Sequence, residues 1–140
     1  MSEMQSLILD TNVIISGLIG HSIPYNILEL VLERRVKLFI SQMILEEYID
    51  VLSREKFSKC ADFTANANIV LSTIEEIAIG FNPKDKVTIL KDVEDNKFLE
   101  LVQISNADFL ITGNTNDFII KVFGSTKIIT PSEYWNTYKP

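Results

Sequence analysis

Acidic and amide side chains stand directly or shortly after several short apolar runs of this chain. They are Asp10, Glu46, Glu47, Asp92, Glu94, Asp95, Asn114 and Asp117. Carboxylates gathered in one cleft raise each other's pKa and destabilise a fold, and a divalent cation removes that conflict. Ligand sets made only of oxygen atoms select Mg²⁺ or Mn²⁺ over zinc. A metal held in this way lowers the pKa of a bound water and offsets charge on a phosphodiester, which is the chemistry of a metal-dependent nuclease.

Hydrophobic periodicity predicts the elements that must bring these residues together. Short apolar runs are typical of buried parallel strands, and they occur at Ser6–Leu9, Val36–Ile40, Val87–Leu90, Asp108–Thr112 and Thr126–Ile129. Helical spacing lies between them, at Pro24–Glu33, Ser41–Ser53, Asp62–Phe81, Asp92–Ser105, Asp117–Phe123 and from Pro131 onward. Because parallel strands need crossover connections, this alternation predicts an α/β fold, a three-layer α/β/α sandwich with a central, mostly parallel sheet. Ligands of such folds bind where the carboxyl ends of the strands meet.

The composition bounds what kind of protein this is. The 140 residues, 46% of them hydrophobic, predict a single globular domain over residues 1–140. One cysteine and one histidine exclude a disulfide framework and a thiolate or histidine-rich metal site. A formal charge of −6 argues against a broad basic surface for nucleic acid. No apolar stretch reaches the roughly 18 residues of a membrane span, so we expect a cytoplasmic protein that does not contact a membrane.

Four segments, taken in order, resemble the sequence blocks of the PIN-domain family. They are Leu7–Ser16 (LILDTNVIIS), Ser41–Tyr48 (SQMILEEY), Asp92–Leu99 (DVEDNKFL) and Ala107–Phe118 (ADFLITGNTNDF). The ending Ile128–Tyr134 (IITPSEY) is similar to that of VapC-like PIN proteins, the toxins of toxin–antitoxin pairs. The resemblance implies a Mg²⁺- or Mn²⁺-dependent endoribonuclease that cleaves RNA. It also implies an antitoxin protein as a partner and a homodimer as the assembly.

The resemblance also assigns roles by position. Asp10 matches the first acid of the family's site, Glu47 the second and Asp95 the third. Helix geometry agrees with the second assignment, because Glu47 lies on the flank of the apolar stripe of its helix and Glu46 lies further round. The fourth position, which is often Asp in the family, is Asn114 here.

Four further residues complete the predicted site. Asp117 matches a second position that is frequently acidic, and it could supply the charge that Asn114 lacks. Asn12 and Thr112 match polar positions of the family's site and are expected to orient acids or substrate. Asp92 is expected to support the site from the start of the helix that follows it.

Each of these residues also has a purely structural interpretation. Asp10 and Asn12 could simply form the exit from a strand. Asp92 and Asp95 could complement a helix dipole, and Asp117 could cap a short helix. Glu46 and Asp108 are expected to be a solvated helix residue and a structural residue at the opposite edge of the sheet. Lys97 could reach a phosphate or point to solvent.

Other classes of function fit the residues less well. A phosphoaspartyl hydrolase would place a second carboxylate where the chain has Asn12. A receiver domain needs an acidic pair at the end of its first strand, and a dinucleotide-binding domain needs a glycine-rich first loop that Gly17 and Gly20 do not form. The remaining alternative is a degenerate PIN module that binds RNA or a protein partner without cleavage, which Asn114 favours.

Overall fold

A parallel sheet forms the centre of the protein, for which a computed structural model describes residues 4–59, 62–90, 95–113 and 120–140. Within those ranges the strands are β1 (Ser6–Leu9), β2 (Lys37–Ser41), β3 (Ile79–Phe81), β4 (Phe109–Ile111), β5 (Val122–Phe123) and β6 (Thr126–Ile129). Their order across the sheet is β3-β2-β1-β4-β6-β5. All neighbouring pairs are parallel except β5 and β6, which are antiparallel. The predicted α/β sandwich with a mostly parallel sheet is therefore confirmed.

Helices connect the strands. Within the described ranges they are α1 (Thr11–Ile19), α2 (Ile23–Leu32), α3 (Gln42–Leu52), α4 (Phe63–Ile77), α5 (Asn96–Ser105) and α6 (Pro131–Glu133). A 3-10 turn at Glu55–Phe57 follows α3, and a wider turn at Tyr134–Tyr138 continues α6. No single helix in this part of the chain is long and apolar enough to cross a bilayer; α1 and α2 reach that length together but are bent by 103°.

The central strand β1 lies in the middle of the hydrophobic core. All four of its residues are buried, and Leu7, Ile8 and Leu9 have no exposed surface. Burying such a side chain fully contributes about 1.5–3 kcal/mol, so this short strand is a strong anchor. Helix α1 then packs tightly on α2, because a Cβ on Gly17 would lie 3.1 Å from the carbonyl oxygen of Pro24.

One predicted helix ends too late. The spacing predicted a helix over Asp62–Phe81, but α4 ends at Ile77 and its last residues form β3 instead. The backbone is already extended at Ala78, and β3 pairs in parallel with β2. The Phe39 and Phe81 rings pack edge to face with centroids 4.8 Å apart. Pairing with the edge of the sheet thus overrides helical spacing in this segment.

The predicted strand at Val87–Leu90 is wrong. These residues have no regular structure, and side chains of α5 satisfy their backbone instead. The Val87 amide donates to a Glu100 carboxylate oxygen at 3.0 Å, and the Leu90 amide donates to Asn96 Oδ1 at 2.9 Å. The place beside β2 belongs to β3, so the segment packs on α5 without joining the sheet.

Two more predictions need correction. A helix is predicted over Asp117–Phe123, but its last two residues form strand β5 (Val122–Phe123), which pairs with β6. Residues 117–119 of this prediction lie outside the described residues. Helix α1 was not predicted, although it begins one residue after Asp10. The predicted strands at positions of β1, β2, β4 and β6 are confirmed to within a residue at each end.

Candidate active site

The register of β1 and β4 places Asp10 beside Thr112. Leu9, the last residue of β1, pairs with Ile111, the last residue of β4. Asp10 and Thr112 follow these two residues directly, so they leave the sheet side by side at its carboxyl edge. The Asp10 amide donates to the Ile111 carbonyl at 3.0 Å, which continues the ladder by one bond. Thr112 Oγ1 donates to Asp10 Oδ2 at 2.7 Å. Two residues that are 102 positions apart in the chain therefore meet because parallel strands end together.

Asp10 is a carboxyl group in an unfavourable place. Its residue is only 4% exposed. Burial raises the pKa of Asp10 above its ordinary value, the hydrogen bond from Thr112 lowers it, and the nearby charge of Glu47 raises it. Because the raising effects prevail, the folded protein disfavours the ionised form of Asp10. A positive charge bound in front of Asp10 would remove this penalty.

Helix α3 brings Glu47 to the same place. The helix begins at a well-formed cap, since Ser41 Oγ accepts from the Ile44 amide at 3.3 Å, as its sequence predicted. Glu47 lies one turn further on, where its Oε2 accepts a hydrogen bond from Thr11 Oγ1. Its Oε1 lies 2.5 Å from the Lys97 ammonium, at the start of α5. Three separate elements thus converge on one carboxylate.

The next residue of α3, Tyr48, fixes the helix against the central strand. It is fully buried, and its hydroxyl donates to the Leu9 carbonyl at 2.5 Å. Burial raises the pKa of Tyr48 well above its ordinary value, and the charges of Asp10 and Glu47 add to the effect. This bond sets the distance between the end of β1 and the helix that presents Glu47.

An open cleft of about 670 Å³ lies in front of these groups. Its lining includes Asp10, Asn12, Glu46, Glu47, Asp50, Arg54, Lys56, Asp95 and Lys97. The structure therefore brings together three of the predicted acids, Asp10, Glu47 and Asp95. Asp95 immediately precedes α5, so the helix, and not the strand that was predicted before it, determines its position.

The remaining predicted residues are placed as follows. Asn114, Asp117 and Asp92 lie outside the described residues. Glu46 is exposed, as predicted, although it also lines the cleft. Asp108 accepts from the Ser6 amide and hydroxyl at 2.9 and 3.1 Å, which agrees with the structural role expected for it.

A hard cation fits the chemistry of this cleft. The donors are carboxylate and hydroxyl oxygens, and the pKa of Asp10 is raised by burial first and by the charge of Glu47 in addition, a cost that a bound cation would relieve. Within the described ranges, however, no three acidic, histidine or cysteine side chains are close enough to hold one metal ion. A complete metal site in this cleft would therefore need ligands beyond these three acids as they stand.

Sequence reasoning missed two residues of the site and left a third open. Thr11 and Tyr48 could not be predicted as site residues, because a threonine after an aspartate and a tyrosine in an apolar stripe have no distinctive pattern. The sequence allows Lys97 either to reach a phosphate or to point to solvent, but the structure leaves it only 8% exposed and pairs it with Glu47. One sequence signal for a buried Lys97 is its position directly before Phe98 and Leu99, two apolar residues that are expected to face the core.

Comparison with known proteins identifies the family of this chain. A family model described as PIN domain matches residues 6–116, which span β1 to the segment after β4. The chain belongs to the PIN-domain family. The resemblance seen in the four sequence blocks is thereby confirmed, and the cleft of this PIN domain lies within the matched region.

Two individual proteins are similar to this PIN domain. An uncharacterised protein of Methanocaldococcus jannaschii, MJ1680, is 30% identical over 119 residues, covering 81% of this chain and 76% of the relative. The crystal structure of VapBC2 from Rickettsia felis, bound to a DNA fragment from its promoter, contains a chain of the same fold. That chain superposes with a TM-score of 0.58 and 19% identity, over 90% of this chain and 98% of its own length.

Proposed function

We propose that this PIN-domain protein is a Mg²⁺- or Mn²⁺-dependent endoribonuclease that hydrolyses RNA phosphodiester bonds. The observation that carries the proposal is the pairing of a buried Asp10 with Glu47 at the carboxyl edge of the sheet, at the base of an open cleft. Asp95 lies on the wall of the same cleft. The carboxylate of Asp10 is destabilised by its burial and by the nearby charge of Glu47, and a divalent cation in this accessible cleft would relieve that cost, which supports a metal-dependent role.

Each residue has a proposed part. The ion would be held by Asp10, Glu47, Asp95, Asn114 and Asp117. When bound, it would lower the pKa of a water and offset charge that develops on the phosphodiester. Thr112 orients Asp10 and Thr11 orients Glu47 through the hydrogen bonds described above. Asn12, on the wall of the cleft, and Asp92 would support substrate and metal binding.

The charges around the cleft are compatible with an RNA strand. Arg54 and Lys56 line the cleft and are exposed, and Lys97 lies at its base. The chain as a whole carries a formal charge of −6, so a broad basic surface does not attract the phosphates. We therefore expect RNA binding to be modest in affinity and to depend on the metal.

The test is single-turnover cleavage of a mixed RNA pool in Mn²⁺, in Mg²⁺ and in EDTA. Asp10→Asn and Asp95→Asn should each abolish cleavage, and so should Glu47→Gln. Glu46→Gln is the matched control, because it changes the neighbouring, exposed acid of the same helix and should retain cleavage. Cleavage that persists in EDTA, or that survives both Asp substitutions, would refute the proposal.

We further propose that the nuclease is the toxin of a toxin–antitoxin pair and forms a homodimer. The fold likeness to a chain of the VapBC2 complex and the similarity of the C-terminal segment support this assignment. Induced expression should arrest growth, and expression of a small DNA-binding protein encoded next to the gene should restore it. Light scattering of the purified protein should give the mass of two chains. Arrest that persists with Asp10→Asn would contradict a toxin that acts by cleavage.

The second candidate is a PIN module that binds RNA or a protein without cleaving it. Two observations favour it: the Lys97 ammonium already neutralises Glu47, and the position that is often Asp in the family is Asn114. In that case RNA would be retained in EDTA and no metal-dependent product would form. The cleavage assay above therefore separates the two candidates.

A further inference from the structure

The ion pair between Lys97 and Glu47 differs from the other ion pairs found in the described residues. Its two side chains are 9% and 22% exposed, and its charged atoms are 2.5 Å apart. The other two pairs, Arg34 with Glu76 and Arg54 with Asp50, have longer distances and side chains more than half exposed. Exposed pairs contribute little to stability, whereas breaking a desolvated pair leaves a charge without compensation.

The pair also stands where a metal would bind. Glu47 is one of two carboxylates at the base of the cleft, and its second oxygen already accepts from Thr11. Both Glu47 oxygens therefore have partners from the protein itself. Asp10 has no such counter-charge in its described contacts, which are hydrogen bonds from Thr112 and from backbone amides. Of the two acids, only Glu47 is thus neutralised without a metal in this arrangement.

We propose that Lys97 is an internal counter-cation that competes with the divalent ion for Glu47. The proposal rests on the proposed function in one respect, that a divalent ion binds in this cleft. Lys97 is a positioning residue here: it keeps Glu47 inside the cleft while no metal is bound, and it weakens metal binding. Helix α5 makes this possible because its first turn is buried against the rest of the protein, which leaves Lys97 only 8% exposed and the following Phe98 and Leu99 with no exposed surface.

Two effects of Lys97→Met follow from this arrangement. The metal-free protein should lose stability, because Glu47 is left partly buried with no cation beside it. Affinity for Mn²⁺ should rise, because a positive charge that repels the ion is gone. A unit charge about 6 Å from a divalent ion is worth about tenfold in affinity even at the dielectric constant of water, and more at shorter distance. We therefore expect Mn²⁺ to bind Lys97→Met at least about tenfold more tightly than the unchanged protein.

The experiment is calorimetric titration of the full chain with MnCl₂, together with thermal unfolding with and without Mn²⁺. Lys97→Arg keeps the charge and should bind Mn²⁺ like the unchanged protein. Lys56→Met is the matched control, because Lys56 lines the same cleft, is exposed and contacts the Phe57 ring at 5.0 Å. It removes the same formal charge but should change the affinity by less than about threefold, because an exposed charge is screened.

A double variant keeps the test decisive if Lys97→Met folds poorly. Adding Glu47→Gln removes the uncompensated acid, so it should restore the stability of the metal-free protein and abolish the gain in Mn²⁺ affinity. Unchanged or weaker Mn²⁺ binding by Lys97→Met would overturn the proposal while leaving the proposed function intact. So would a double variant no more stable than the single one. Absence of Mn²⁺ binding in every variant would instead refute the metal-dependent function itself, and the competition with it.

Discussion

Asp10→Asn should stabilise the metal-free protein at neutral pH while it destroys the metal site. Asparagine has nearly the same size, and its oxygen can still accept the hydrogen bond from Thr112, whereas its NH₂ group cannot accept from the backbone amides of Thr11 and Asn12, which offsets part of the gain. The substitution removes the cost of a buried charge and the repulsion from Glu47, which are the causes that raise the pKa of Asp10. Single stabilising substitutions commonly contribute about 0.5–2 kcal/mol, and active sites are places where stability is traded for function.

The expected gain is about 0.5–2 kcal/mol at pH 7, which corresponds to an increase in Tm of roughly 2–8 °C for a chain of this length. The pH dependence follows from the direction of the shift. A carboxyl group whose folded pKa is raised contributes stability below its unfolded pKa, near 3.9, and this contribution is lost as pH rises through the folded pKa. Asp10→Asn does not titrate, so its advantage should be largest at neutral pH and disappear below about pH 4.

The assay is urea unfolding at several pH values, in EDTA and in millimolar Mn²⁺. Mn²⁺ should raise the free energy of unfolding of the unchanged protein and have little effect on that of Asp10→Asn. The difference in stability between the two proteins should therefore shrink or change sign when Mn²⁺ is added. Asp50→Asn is the control, since this acid lines the same cleft but its side chain is 77% exposed and pairs loosely with Arg54. It should change stability by less than about 0.5 kcal/mol. An Asp10→Asn protein that is less stable than the unchanged one at pH 7 in EDTA would refute the reasoning.

Three further substitutions test how the fold positions this site. Tyr48→Phe leaves the buried Leu9 carbonyl without its donor and should cost about 1–3 kcal/mol in urea unfolding, with weaker Mn²⁺ binding; an unchanged midpoint would contradict the anchoring role. Asn96→Ala frees the Leu90 amide, so that amide should exchange with solvent at least tenfold faster while amides of β1 stay protected. Ile14→Ala removes a fully buried side chain of α1 and should cost about 2–5 kcal/mol, and a loss under 1 kcal/mol would show that α1 is not packed as described.

The candidate site shows how far local sequence can reach. Asp10 follows a buried apolar run and matches the family's first acid, whereas Glu47 is assigned by the resemblance to the family's second block, with which its place on the flank of a helical stripe agrees. The structure puts both side chains in the cleft, while their roles as metal ligands stay predictions. The counter-charge from Lys97 could not be predicted, because 49 residues of intervening chain separate it from Glu47 and no local pattern joins the two.

The strongly patterned elements of this fold are specified by their own residues. The runs that became β1, β2, β4 and β6 are continuously apolar, and Ser41 has the side chain that caps a helix, so each is specified by its own residues. The order of the four sequence blocks also determined the family. These features depend on neighbours along the chain, which is why they can be seen without the fold.

Two segments compete for one place in the sheet, and packing of the whole molecule selects between them. Ile79–Phe81 has helical spacing and Val87–Leu90 has strand-like composition, yet β3 forms from the first and pairs with β2. The second is held by the side chains of Asn96 and Glu100. The sheet edge beside β2 accepts one strand, and which segment fills it depends on the sum of contacts with α5 and β2. That sum is a property of the packed molecule and is absent from either segment alone.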